Sequence, residues 1–262
     1  SLEARYLQIF KGDEIEFPED GYQGEDIKDL AKEYADLNGD SLVNVSAEER
    51  KKALVDFALP KNISKMQADM EKYKIFYDKW FFESELHKSG AVKAVVDLLT
   101  KKGLTYEKEG AVWYKNKEVL TQKLLKEGKS QKYIDNLELK DDVLIRQNGN
   151  PTYFTADIAY HKNKFDRGFT TLIDVWGADH HGHVMRMKGA MDAIGYDGDK
   201  LNVVLMQLVK LVKDGELVKM SKRTGKAIQL GDLLDEVPVD SARFLFNTKE
   251  ANTQMLSLIH IS

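Results

Sequence analysis

The stretch "TTLIDVWGADHHGHVMRMKGAMDAIGYD", residues 170–197, decides how the rest of the chain is read. An apolar run ends at Trp176, Gly177 lets the backbone turn tightly, and a helix is predicted from about Asp179 to Ile194. A long β run, "NVVLMQLVKLV" (202–212), follows with a turn at Asp214-Gly215. Helices are predicted next at 230–236 and 239–247. Strand, helix, strand and helix in this order predict a parallel α/β sheet for the C-terminal half, because parallel neighbours need a crossover connection.

Working upstream, "DDVLIRQNGNPTYF" (141–154) reads as a hairpin, an apolar strand and an aromatic one joined across Gln147–Asn150. A short helix follows, with Thr155 as its N-cap. Residues 116–140 are highly charged with weak periodicity, which suits a surface insertion with some helix. "LTYEKEGAVWY" (104–114) reads as two short strands about a Lys-Glu-Gly turn. The first hundred residues read as largely helical. Helices are predicted over 1–10, from Glu25 to Ala35, from the Ser46/Glu49 capping box to Pro60, onward from about Ser64, and from Gly90 to Lys101. Pro60 is expected to end or kink its helix, and Gly103 to cap the last one.

The totals exclude several classes. A formal net charge of −4 over 262 residues argues against a surface that coats nucleic acid everywhere, though a local cationic groove is compatible with it. With no cysteine, disulfides and thiolate metal sites are impossible, and a cytoplasmic home is expected. No apolar run reaches the ~18 residues of a transmembrane helix. The opening "SLEARYLQIF" lacks the basic-then-apolar order of a signal peptide and reads as the end of a helix, so a piece of something longer is expected.

Three segments carry candidate chemistry. Asp179, His180, His181 and His183 fall at a helix start behind a strand, where free N–H groups favour anions such as a nucleotide phosphate. Three histidines in four residues also raise zinc, but the usual i,i+4 pair with a glutamate is missing, and capping or packing roles are open. In "PTYFTADIAYH" (151–161), Asp157 is expected in the first helical turn, where the simplest reading is a partner for the helix dipole. A sharper one pairs it with Tyr153 as a site for a planar cation such as a guanidinium. Finally, "KMSKRTG" (219–225) puts Lys219, Lys222 and Arg223 around Met220 and Ser221 on a loop. Such a loop is usually just solvated, yet two ammonium groups there could close over a triphosphate.

Together these segments resemble the class I aminoacyl-tRNA synthetases, and specifically the bacterial-type arginyl-tRNA synthetases. "KMSKRTG" resembles the class signature KMSKS, with Arg223 at the final position. "TYFTADIAYHKNKFDRGF", "IDVWGADHHGHVMRMKGAMDAIGYD" and "ARYLQIFKGDEIEFPEDGYQGEDIKDLA" resemble the arginyl enzymes in order and spacing. The resemblance implies the second half of a Rossmann-like parallel-sheet catalytic domain with a largely helical insertion. It implies activation of L-arginine by ATP with Mg²⁺, transfer to tRNA(Arg), and a monomeric full-length enzyme. It makes Lys219 and Lys222 the catalytic lysines. Gly177, Asp179, His180, Met220, Ser221 and Arg223 are then expected at ATP, and Tyr153, Asp157 and His181 at arginine, with no bound metal of the protein's own.

The segments divide as a helical connective region (1–140), a Rossmann-like half with the lysine loop (141–237), the start of a helical stem (238–255) and a tail of foreign character (256–262). The family's HIGH-type ATP motif is expected upstream of Ser1, none of the chain's histidines being read as part of it, so the chain alone is not expected to form an adenylate. Another class I synthetase, or a non-catalytic RNA-binding module using its basic loop, are the alternatives.

Overall fold

The computed structural model describes residues 1–213, 216–217, 229–253 and 255–258. The chain divides into two compact units. One holds Ser1–Asp78, Val209–Glu250 and the chain from Gln254 onward, and the other holds Lys79–Leu208 together with Ala251–Thr253.

The first unit opens with α1 (Leu2–Lys11), α2 (Glu25–Asn38) and α3 (Ala47–Lys72). Their apolar faces meet around fully buried Tyr6, Ala31 and Leu54. Tyr6 keeps its hydroxyl satisfied by donating to the Gly39 carbonyl at 2.8 Å and accepting from the Leu42 N–H at 3.1 Å. Buried Arg50 ties α3 back to the start of the chain. Its guanidinium meets Glu3 at 2.9 Å and donates to the carbonyls of Leu42 and Val45 at 2.8 and 2.7 Å. Ser46 caps α3 as expected, accepting from the Glu49 N–H at 3.2 Å. The helix does not stop at Pro60 but runs through it for 26 residues. Pro60 is exposed, so water can serve the carbonyl that its missing N–H leaves unpaired.

The second unit begins with α4 (Glu83–Lys88), which nothing in the sequence pattern announces, and α5 (Ala91–Lys101). α5 closes as predicted at Gly103, whose φ of 71° is open to glycine at no steric cost. Strands β1 (Thr105–Lys108) and β2 (Ala111–Tyr114) form the expected antiparallel pair, turning through Glu109 and Gly110, both at positive φ. The charged segment folds into α6 (Asn116–Lys126) and α7 (Gln131–Asp135). β3 (Asp142–Ile145) then pairs with β2. The hairpin expected over 141–154 is therefore only half formed. Its turn is present, but a single bridge, Ile145 to Pro151, stands where the aromatic strand should be. Tyr153 and Phe154 instead open α8 (Tyr153–Asp166).

α8 leads to β4 (Leu172–Gly177), α9 (His181–Ile194) and β5 (Leu201–Met206). β4 and β5 pair in parallel from Leu172–Leu201 to Gly177–Met206, with α9 as the crossover. One face of this pair packs on α8, α9 and α5 through Leu172, Leu201, Ile158, Met187, Met191 and Leu99, all buried. The apolar run 202–212 is two strands rather than one. β5 ends at Met206, and β6 (Val209–Lys213) belongs to the first unit, antiparallel to β7 (Glu216–Leu217). The turn expected at 214–215 lies outside the described residues. α10 (Leu230–Glu236) and α11 (Val239–Asn247) match the predicted bounds. β8 (Met255–Leu258) runs parallel to β6. The fold is thus mixed α/β, with small parallel pairings among many helices, as the sequence leads one to expect.

Candidate functional site

In the second unit, the carboxyl ends of β4 and β5 lie beside the N-termini of α8 and α9. Trp176 and Gly177 end β4, a short 3₁₀ turn spans Ala178–His180, and α9 starts at His181. Gly177 has φ −66° and ψ 150°, a conformation any residue adopts, so a tight turn is not what requires glycine there. A Cβ at that position would lie 2.5 Å from Oδ1 of the exposed Asp179 side chain, so glycine there lets that carboxylate rest against the backbone. Asp179 and His180 are exposed and 3.8 Å apart. His181 is exposed as well.

α8 starts earlier than the sequence suggests. Thr152, not Thr155, holds the N-cap position. Both threonine hydroxyls donate to β3 instead, Thr152 to the Val143 carbonyl at 2.8 Å and Thr155 to that of Leu144 at 2.7 Å. These bonds hold the helix N-terminus on the strand. Asp157 is consequently in the second turn, out of reach of the first-turn N–H groups, and the dipole-partner reading loses its footing. Tyr153 and Asp157 are four residues apart on one helix and so share a face. Tyr153 is 78% exposed.

The partner of Asp157 comes from α9. His183 Nε2 lies 3.2 Å from Asp157 Oδ2. The three neighbouring histidines thus diverge, one turned inward and two outward. Among the described residues no group of three or more His, Asp or Glu is placed to hold a metal ion. On letters alone, His180-His181-Gly182-His183 does fit the pattern H-x-G-H, contrary to the expectation that no histidine here stands in one. Nearby, Arg186 grips Asp142 with two contacts, at 2.6 and 3.1 Å. Burial pushes the Asp142 carboxyl up, and the pull of Arg186 offsets only part of that.

Sequence reasoning missed a buried charge cluster beneath this site. Asp174 points inward from β4, 8% exposed. Its two oxygens meet His161 Nε2 at 2.5 Å and Lys164 Nζ at 2.6 Å. Burial pushes the Asp174 carboxyl up, but the His161 and Lys164 bonds outweigh it and hold the carboxyl below its ordinary range. His161 Nδ1 bonds the Asp157 carbonyl at 2.7 Å, so the cluster steadies the turn that carries Asp157. One signal was available: a lone acid in the otherwise apolar run "LIDVW" (172–176). The five loop residues Lys219, Met220, Ser221, Lys222 and Arg223 lie outside the described residues.

Residues 24–258 match the model of the family described as tRNA synthetases class I (R), catalytic domain. The chain belongs to that family. It is 52% identical over 257 residues to an arginine–tRNA ligase of Ruminiclostridium cellulolyticum, covering 97% of this chain and 43% of that protein. Against the arginine–tRNA ligase of Caldanaerobacter subterraneus subsp. tengcongensis the identity is 54%, over 97% of this chain and 42% of the relative. The chain therefore spans less than half the length of these relatives. A solved structure of a candidate arginyl-tRNA synthetase from Campylobacter jejuni superposes with a TM-score of 0.79 at 34% identity, covering 99% of this chain and 52% of the other. The Thermus thermophilus arginyl-tRNA synthetase shares the fold, with a TM-score of 0.62 at 15% identity, over 98% of this chain and 51% of that one.

Proposed function

We propose that this chain is the central part of the catalytic domain of an arginine–tRNA ligase, cytoplasmic and monomeric at full length, and that Asp157 receives the substrate guanidinium. One observation carries the reading: Asp157 Oδ2 is held by His183 while the carboxylate, 42% exposed, stays open to solvent on the helix face that also carries Tyr153. An ionised carboxylate beside an aromatic ring suits a planar cation, because a guanidinium offers a flat fork of donors and a π-face. The chain's high identity to arginine–tRNA ligases supports the same reading.

In this reading the arginine carboxylate attacks the α-phosphate of ATP, delivered as its Mg²⁺ complex. A carboxylate-oxygen-to-phosphorus bond forms, and the bond to pyrophosphate breaks. Gly177, Asp179 and His180 line the adenosine side, with Met220, Ser221 and Arg223 reaching ATP from the loop. Lys219 and Lys222 offset the charge that grows on the phosphates. His181 stands at the arginine side. A ribose hydroxyl of tRNA(Arg) then takes the arginyl group and AMP leaves. The chain covers 43% of the length of a related arginine–tRNA ligase, so this activity is proposed for the whole enzyme to which the chain contributes these residues.

The test is Asp157→Ala in a full-length protein carrying this chain, assayed for arginine charging. A collapse in arginine charging with unchanged ATP binding is expected. Charging at the wild-type rate and arginine KM would refute the pocket.

A further inference from the structure

Two carboxylates, Asp142 and Asp157, lie near His183, and the structure treats them differently. Asp142 on β3 is occupied: Arg186 binds both of its oxygens and lies 4.8 Å over the Phe154 ring. Asp157 on α8 has one oxygen bonded to His183, and its Oδ1 has no partner among the described residues. An ionised carboxylate only accepts, so the imidazole donates through Nε2–H. The His183 ring is itself confined, 17% exposed, with the Trp176 ring at 5.3 Å and the Phe154 ring at 5.5 Å. It sits in the first turn of α9, whose backbone is held by buried Met187 and Met191 farther along.

We infer that His183 is a positioning residue for Asp157, fixing the plane of its carboxylate so that a guanidinium fork finds two oxygens in register. The inference rests on the proposed arginine pocket and adds to it the group that sets its selectivity. A carboxylate oxygen has two lone-pair directions, so Oδ2 serves His183 and the ligand together, while Oδ1 serves the ligand alone. A freely rotating carboxylate suits a point charge such as an ammonium as well as it suits a fork. A fixed one favours the fork, because both parallel bonds form without further ordering. Arg186, by occupying Asp142, removes the second acid that would otherwise compete for the substrate cation. His183 thereby acts on discrimination between arginine and lysine more than on attraction of positive charge.

The experiment uses a full-length protein carrying this chain and has two arms. First, imidazole ¹H–¹⁵N spectra of wild type and Asp157→Asn are compared without ligand. A protonated, slowly exchanging His183 Nε2 that is lost in Asp157→Asn is expected, and an Nε2 unaffected by the substitution overturns the inference. Second, L-arginine and L-lysine are titrated calorimetrically into wild type, His183→Leu, His183→Gln and Asp157→Ala. His183→Leu should weaken arginine about tenfold, the size of one hydrogen bond to a charged group, and leave lysine unchanged. His183→Gln, which restores an N–H donor, should recover most of that loss, as a merely structural role would not. Wild-type arginine affinity in His183→Leu with binding abolished in Asp157→Ala refutes the positioning role and leaves the pocket standing. Arginine binding that survives Asp157→Ala, or that wild type lacks, sinks the pocket instead. The imidazole spectra then decide the pairing without it.

Discussion

Replacing Asp174 with Asn tests whether the second unit is held by the cluster under its site. Asp174 accepts from His161 on one oxygen and from Lys164 on the other, and both partners are donors. The amide keeps one acceptor and turns the other position into a donor facing a donor. One charge-assisted bond is lost outright and the second is weakened to a neutral acceptor. At about 1.5–3 kcal/mol per bond to a charged group, the expected loss is about 3 kcal/mol at pH 7, within the range for breaking a buried pair. All three tryptophans, Trp80, Trp113 and Trp176, lie in this unit, so urea unfolding followed by fluorescence reports on it directly. The pH dependence has a definite sign. The folded Asp174 carboxyl is held below its ordinary value, so its contribution is complete above the unfolded value of ~3.9 and is lost as pH falls through the folded one. The gap between wild type and Asp174→Asn should therefore hold steady from pH 7 to about 5 and close in more acid solution. A gap under about 1 kcal/mol at pH 7, or one that widens on acidification, would show that the cluster does not stabilise the unit.

Three further variants are tests of local geometry. Gly177→Ala should change stability by less than about 1 kcal/mol, since its backbone angles suit alanine and the Asp179 carboxylate is free to swing away. ATP-dependent thermal stabilisation should nonetheless fall in that variant if Asp179 faces the adenosine, and an unchanged ATP titration would remove Asp179 from the site. In the first unit, Arg50→Lys should cost about 2–4 kcal/mol by helix circular dichroism in urea, because an ammonium cannot serve Glu3 and the Leu42 and Val45 carbonyls together. Lys61→Ala, which removes an exposed pair with Glu33, should cost under about 0.5 kcal/mol in the same assay.

How much of this was legible depended on whether the deciding contacts were local. α10 and α11 fall within their predicted bounds because Pro238 separates them and apolar spacing marks each helix. The β1–β2 pair was readable from a glycine turn between alternating residues. The aromatic pair Tyr153–Phe154 misled, since such residues favour strands. Two threonine bonds to β3, formed across nine and eleven residues, decide for helix there. The division of 202–212 into two strands was not legible because the run resumes at Leu208 and Val209 directly after Gln207, with no glycine, proline or acidic turn between the two strands. At the site, the Tyr153/Asp157 spacing was visible in the sequence, whereas the Asp157–His183 pair spans 26 residues and two helices.

These long-range bonds form a closed circuit, which has a consequence for how their energies combine. Asp174 on β4 binds His161, His161 binds the Asp157 carbonyl, Asp157 binds His183, and His183 lies against Trp176 two residues along the same strand. α8 is thus attached at both sides of one turn, and its position is fixed by either attachment together with the core. Once Asp174→Asn loosens the first, Asp157 is no longer held in register for His183, and removing His183 costs less than it does in the wild type. Unfolding free energies for Asp174→Asn, His183→Leu and the double variant should therefore be non-additive, the combined loss falling short of the sum by about 0.5–1 kcal/mol. Additivity within about 0.3 kcal/mol would mean that the two attachments act independently, and that α8 is located by its apolar face alone.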